Sequence, residues 1–283
     1  MQSMTGFGRA ETTIEDKKIT LEIRSLNSKN LDMNARLPSF YKELEPEFRK
    51  QVIQKLNRGK VDLALFYEAN GASSAANINI PVVQEYLQQL AVFDIAESEK
   101  LKMAIRLPDT LKTERDSISD DEKKVLLQLT QEVLEKILEF RKKEGAGLHK
   151  DIMNRIGTIT NQLEDVKKLD PQRIPKVRER LENSIKELKV NIDENRFEQE
   201  LIYYIEKFDI TEEKVRLANH LSYFQEIANS GQQQGKKLGF VAQEIGREIN
   251  TIGSKANDAD LQKIVVQMKD ELEKIKEQLL NVL

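Results

Sequence analysis

The spacing of apolar residues changes near residue 70. Before that point it alternates. KKITLEIRSL (17–26) puts Ile19, Leu21 and Ile23 on one side and Glu22 and Arg24 on the other, the pattern of a half-buried strand. LDMNARLP (31–38) reads as a second short extended segment ending at Pro38, and KVDLALFYE (60–68) alternates again through Val61, Leu63, Leu65 and Tyr67. SMTGFGRA (3–10) can supply a further strand. Between these, residues 39–57 carry Phe40, Leu44, Phe48, Val52, Ile53 and Leu56 at helical spacing, and Arg58-Gly59 is a stop signal. The pattern predicts a small mixed α+β domain over residues 1–70.

GASSAAN (71–77) marks a break, after which apolar residues recur every three or four positions. Helices are predicted over 81–95, 121–143, 145–168 and 173–191, punctuated by Pro108, Pro171 and Pro175. VRERLENSIKELK (177–189) is charged around most of its circumference, as a solvated arm or as a surface that packs on another subunit. Residues 71–207 therefore read as a helical middle region and arm. Residues 208–283 read as a three-helix domain with helices near 211–229, 236–252 and 258–282. Asp209 and Glu212 are spaced as a capping box for the first of these. In the last, Leu261, Ile264, Val265, Met268, Leu272, Ile275, Leu279 and Val282 form a near-heptad stripe suited to a helix–helix seam. The expected fold class is α+β: a small mixed N-terminal domain, then a long helical region ending in three helices.

Composition narrows the chemistry. Across 283 residues the formal net charge is −3, so any polyanion must be held by a local patch. There are no cysteines, which excludes disulfides, thiolate metal sites and cysteine nucleophiles. The two histidines, His149 and His220, argue against a multi-histidine metal site. The N-terminus has no apolar signal region, and no apolar run approaches the ~18 residues of a membrane span. A soluble cytoplasmic protein is expected.

One stretch, QEIGREINTIGSKAND (243–258), has an unusual polar set. On a helical wheel Leu238, Val241, Ile245, Ile249 and Ile252 form the buried face. Glu248 falls on the edge of that face, Glu244 flanks it, and Arg247 and Thr251 lie further out. Two carboxylates one turn apart repel, and partial burial disfavours their ionised forms further. Either a salt-bridge network compensates, or the pair holds a hard cation or works as acid and base. In the preceding helix Glu213, Arg216 and His220 line one flank of an apolar stripe. A carboxylate and a guanidinium beside a histidine pull its pKa in opposite directions, which suits an acid or base near neutrality. His149 lacks such neighbours and reads as incidental.

Basic residues of the N-terminal domain form a second set. Arg9, Arg24, Lys29, Arg36, Arg58 and Lys60 lie at expected strand ends and turns, with Gly6, Gly8 and Gly59 nearby. They are either solubilising charges or a phosphate-contacting patch. The paired surface aromatics of an RNA-stacking sheet are missing from the pattern, so base stacking is not expected.

Taken in order, these blocks resemble the YicC-like endoribonucleases of bacteria along almost the whole chain. The blocks are SMTGFGRA (3–10), RSLNSKNLD (24–32), RLP (36–38), RGK (58–60), EGAGLHKDI (144–152), EEKVRLANHL (212–221), KLGFVAQEIGREINTIGSKAND (237–258) and the tail KDELEKIKEQLLNV. Departures are few: Lys29 replaces a favoured arginine, Asn30 an aromatic, and Gly239-Phe240 the more usual Asp-Phe. Lysine at 29 keeps the charge but loses the bidentate fork for phosphate.

The resemblance implies a divalent-metal-dependent (Mg or Mn) endoribonuclease acting on hairpin-containing RNA in decay or regulation. It also implies a ring-like homo-oligomer, a hexamer enclosing the RNA, with other RNA-decay nucleases as possible partners. In that setting Glu244 and Glu248 are the expected metal ligands, with a metal-free route, in which His220 helps the ribose 2′-hydroxyl attack, left open. His220 is the general acid or base, with Glu213 beside it, and Arg216 and Arg247 neutralise phosphate charge. Lys255 and the N-terminal basic set position the RNA backbone. The alternative is a non-catalytic RNA-binding adaptor that presents RNA to other nucleases.

Overall fold

The computed structural model describes residues 1–14, 17–56, 58–69, 77–112, 118–188, 194–230 and 234–283. They form two compact units: Gly6–Leu138, and Met1–Thr5 together with Glu139–Leu283. The α+β class expected from the sequence holds, with one small sheet followed by mainly helical chain.

In the first unit, β1 (Gly6–Ile14), β2 (Lys17–Leu26), β3 (Leu31–Arg36) and β4 (Gly59–Ala69) form a sheet in the order β1-β2-β4-β3. β1 and β4 each run antiparallel to β2, and β3 is parallel to β4. A parallel neighbour requires a crossover. It is supplied by a 3-10 segment, Ser39–Leu44, and helix α1, Glu45–Lys55. The single helix expected over 39–57 is thus divided, with Pro46 in the first turn of α1, where a missing N–H costs nothing.

Alternation along the strands sends one set of side chains inward. Ile19, Leu21, Ile23, Val61, Leu63 and Leu65 pack beneath Tyr41, Leu44, Phe48, Val52 and Leu56 from the crossover. Leu126, Val133, Leu134 and Ile137, from the first part of α4 (Asp120–Leu169), complete this core. Ile53, expected inside, is exposed, and Tyr41 is buried in its stead. The unit also holds α2 (Ile80–Leu90), α3 (Glu97–Ala104) and a two-stranded ribbon, β5 (Asn77–Ile78) with β6 (Leu111–Lys112). The helix expected over 81–95 stops at Leu90, and α3 was not foreseen.

Helix α4 is continuous where two helices were expected around Glu144-Gly-Ala-Gly147. In the second unit the first residues of the chain lie against this point. A Cβ on Gly145 would fall 2.6 Å from the Met1 carbonyl oxygen, so glycine here permits close approach of backbone rather than a break. Ser3 donates to the Arg141 carbonyl (3.0 Å), and Thr5 Oγ1 donates to Glu144 Oε2 (2.6 Å). Arg141, almost fully buried, donates to the Met4 carbonyl at 2.9 Å, and burial pushes its pKa below the usual guanidinium value. The same segment meets the C-terminus: Met4 donates to Asn281 (2.8 Å) and Leu283 to Gln2 (3.0 Å).

After α4 come α5 (Arg173–Leu188) and α6 (Glu194–Phe208), the latter not foreseen, then α7 (Thr211–Asn229), α8 (Gly235–Lys255) and α9 (Ala259–Leu279). The last three match the expected helices closely. The capping box does not form. Asp209 instead accepts from the Thr211 amide (2.9 Å) and hydroxyl (2.7 Å). Asp258 caps α9 through the amides of Asp260 and Leu261. The α9 stripe is buried as expected apart from Ile264, which is partly buried. It packs on α8 across two glycines. A Cβ on Gly246 would lie 3.1 Å from Leu272 Cδ2, and one on Gly253 2.9 Å from Val265 Cγ1.

Candidate functional site

Helices α7 and α8 are joined by a short link, which favours antiparallel neighbours. A hydrogen-bonded ion pair fixes their register. Lys255 Nζ, at the end of α8, donates to Glu213 Oε1, near the start of α7, at 2.8 Å. Glu213 is 6% exposed, and its other oxygen, Oε2, is buried with no hydrogen-bond partner among the described residues.

His220 and Glu248 occupy the next level of this interface. Seven residues separate Glu213 from His220 along α7, and seven separate Lys255 from Glu248 back along α8. Seven residues are almost two helical turns, with a rise of about 10 Å and little rotation. Each of the two therefore stands on the same face of its helix as the ion pair, at a common height. Glu248 is 5% exposed and His220 is half-buried. Among the described residues neither side chain has a hydrogen bond or ion pair with the rest of the chain. Burying polar groups without such partners works against folding.

The remaining residues of the expected constellation lie outside this row. Arg216 pairs with Glu212 at 2.9 Å on the exposed side of α7. Arg247 stands 3.9 Å from Glu244, both well exposed. The wheel placed Glu248 correctly at the buried edge, but Glu244 faces water rather than the packing interface. The polar set thus divides into an inner row of Glu213, Lys255, His220 and Glu248, and an outer row of Arg216, Glu244 and Arg247. Lys255, expected to touch RNA, is hydrogen-bonded to Glu213 and keeps 35% of its side chain exposed. His149 contacts Asn229 at 3.1 Å.

Among the described residues no group of three or more histidines, aspartates or glutamates converges as a metal cage. Glu244 and Glu248, one turn apart, can provide at most two carboxylate ligands. That donor set suits a hard divalent cation such as magnesium, which keeps several waters and is completed by phosphate oxygens.

In the sheet, Arg9, Arg24, Arg36 and Lys60 all project from the face opposite the core, by the alternation of their strands. Lys29 lies exposed in the turn between β2 and β3, and Arg58 is half-buried just before β4. Arg9 is held by Glu11 (2.5 Å) and Glu22 (3.5 Å), and the Glu11 carboxylate holds its pKa above the ordinary value. The same face carries Phe7 and Phe66, both exposed. The Arg24 guanidinium lies over the Phe7 ring, 5.3 Å from its centroid. Sequence reasoning missed these surface aromatics. The available signal was the Gly-Phe-Gly-Arg alternation at the start of β1, which turns Phe7 outward whenever its glycine neighbours turn in.

The chain belongs to the YicC-like endoribonuclease family. Residues 1–150 match the family model described as "Endoribonuclease YicC-like, N-terminal region", and residues 166–283 match "Endoribonuclease YicC-like, C-terminal". Among relatives, the chain is 34% identical over 289 residues to the probable endoribonuclease YicC of Clostridioides difficile (strain 630), covering 99% of each chain. It is 31% identical over 287 residues to the probable endoribonuclease YicC of Haemophilus influenzae (strain ATCC 51907 / DSM 11121 / KW20 / Rd), again covering 99% of each. No helix among the described residues is long and apolar enough to cross a membrane.

Proposed function

We propose that this protein is a divalent-metal-dependent endoribonuclease acting on hairpin-containing RNA, with its reactive groups in the α7–α8 row. Family membership supports RNA cleavage. The observation that carries the site is the placement of His220 and Glu248 on facing helices at one level, with neither side chain committed to the fold. Fold-stabilising polar residues normally spend their hydrogen-bonding capacity on one another, as Lys255 does on Glu213.

In this reading Glu248, with Glu244 one turn away, holds the cation. When bound, a hard divalent ion supplies charge neutralisation at the phosphate and a more acidic water. His220 gives or takes a proton at the reacting oxygen. Arg247 and Arg216, exposed on the outer row, contact phosphate oxygens and offset their charge. Glu213 acts through Lys255, holding its ammonium in place at the end of α8. The homo-oligomeric state, a hexameric ring enclosing the RNA, belongs to the same reading, as does a cytoplasmic location.

The test is a labelled hairpin RNA incubated with wild type, Glu248→Gln and His220→Ala, each with and without EDTA. Loss of cleavage in both variants and in EDTA is expected. Cleavage that survives both substitutions unchanged defeats the site. Retained RNA binding without cleavage by wild type would make the protein an adaptor that presents RNA to other nucleases.

A further inference from the structure

The outward face of the four-stranded sheet has a composition that solubility alone does not require. The solvated face of such a sheet is ordinarily polar. Here Phe7 is 41% exposed, Leu26 53% and Phe66 54%. Phe7 is directly opposite Arg24 in the β1–β2 register, and Leu26 is two residues further along β2, in diagonal reach of the ring. Phe66 lies four residues along β4 from Asp62, the residue opposite Arg24, so it stands about 13 Å further across the same face.

The exposure of Phe7 is specified by packing behind it. A Cβ on Gly8 would lie 2.5 Å from the Val133 carbonyl oxygen of α4. Only glycine fits, so Gly8 must face inward and its neighbours Phe7 and Arg9 must face out. A one-residue slip would drive Arg9 into the core.

Charge favours a polyanion at this end of the sheet. Arg9, Arg24, Arg36 and Lys60 project from the three residue rows nearest Phe7, against Glu22, Asp32 and Asp62. Lys29 adds a further cation in the adjoining turn. With Glu11, which stands in the row of Phe66 and pairs with Arg9, the patch holds five cations against four carboxylates, an excess of one positive charge on a chain whose formal charge is −3. An exposed ring with a guanidinium already on it, set among cations, suits a base that is free to stack rather than one inside a helix.

We propose that this face binds unpaired RNA, with a base stacked on the Phe7–Arg24 pair, the strand's phosphates near Arg36, Lys60 and Lys29, and Phe66 as a second stacking position. The proposal rests on RNA being the substrate. It adds that a single-stranded segment, beyond the hairpin, is recognised here.

The experiment compares binding of two RNAs to the full-length chain: a blunt hairpin and the same hairpin with a single-stranded tail. Wild type, Phe7→Ala and Phe7→Tyr are used, with circular dichroism to check the fold. Phe7→Ala is expected to weaken the tailed RNA about tenfold, the scale of one base–aromatic stack. It should leave the blunt hairpin unchanged, and Phe7→Tyr should restore tail binding. A 5-iodouridine in the tail should crosslink to the peptide containing Phe7. Equal affinity of wild type and Phe7→Ala for the tailed RNA would overturn the proposal while leaving RNA cleavage standing. So would an equal loss on both RNAs, or a change in oligomeric mass in Phe7→Ala, which would make the face an interface between copies. A wild type that binds neither RNA would remove both this proposal and the RNA substrate it rests on.

Discussion

Lys255 Nζ sits 2.8 Å from Glu213 Oε1, tying the end of α8 to the start of α7. The carboxylate is deeply buried, whereas the lysine side chain is 35% exposed. Lys255→Met leaves a buried, unpaired carboxylate, and thermal or denaturant unfolding should register a loss of about 2 kcal/mol, below the range for fully buried pairs because of that exposure. Glu213→Leu combined with Lys255→Met should be more stable than Lys255→Met alone. If the double variant is the less stable, the pair is not what compensates Glu213.

Glu248→Gln and His220→Ala should each lower hairpin cleavage by a hundredfold or more, the scale of a lost acid–base group. Their denaturant midpoints should stay at or above that of wild type, since neither side chain bonds the rest of the chain among the described residues. Loss of activity accompanied by unfolding would assign these residues to the fold.

Removing divalent ions should stop cleavage, and magnesium or manganese should restore it in wild type. Glu248→Gln should need a higher metal concentration for half-maximal rate. Analysis of product ends separates two routes. A 5′-phosphate fits attack by water, and a 2′,3′-cyclic phosphate fits attack by the ribose 2′-hydroxyl, which would sink metal-activated water.

Two glycines in one helix should behave oppositely. Gly147 has open space where its Cβ would go, so Gly147→Ala should stabilise α4 by roughly 0.5–1 kcal/mol. Gly145→Ala would press on the Met1 backbone and should cost about 1–3 kcal/mol, as overpacking does. Hydrogen exchange should then find residues 1–5 less protected.

Tyr41 is buried under the sheet and donates its hydroxyl to Glu122. Burial, and then the bond to Glu122 and its charge, raise the phenol pKa well above the ordinary value. The unfolded chain therefore releases this proton near pH ~10 while the folded one retains it. Stability from this group is complete below pH ~10 and is lost as pH rises beyond it. Urea unfolding followed between pH 8 and pH 11 should show that fall, and Tyr41→Phe should flatten it.

Periodicity alone determined much of this protein. The alternation in KKITLEIRSL and KVDLALFYE fixed two strands and their buried faces, except that Tyr67, near the end of β4, is left exposed, and the α9 stripe fixed a seam, because side-chain direction follows directly from backbone period. The wheel also placed Glu248 at a buried edge for the same reason. It could not place Glu244, because which flank of a helix is covered depends on the neighbour that packs there. Glycine was the other blind spot. Gly145 and Gly147 read alike as a break in α4, yet one receives the N-terminal backbone and the other faces open space. The pairing of Lys255 with Glu213 joins residues 42 apart, and the exposure of Phe7 depends on Val133 behind Gly8. Such relationships arise from close packing between segments distant in sequence, so the tertiary structure alone decided which charged residues face one another and which aromatic is left open to a ligand.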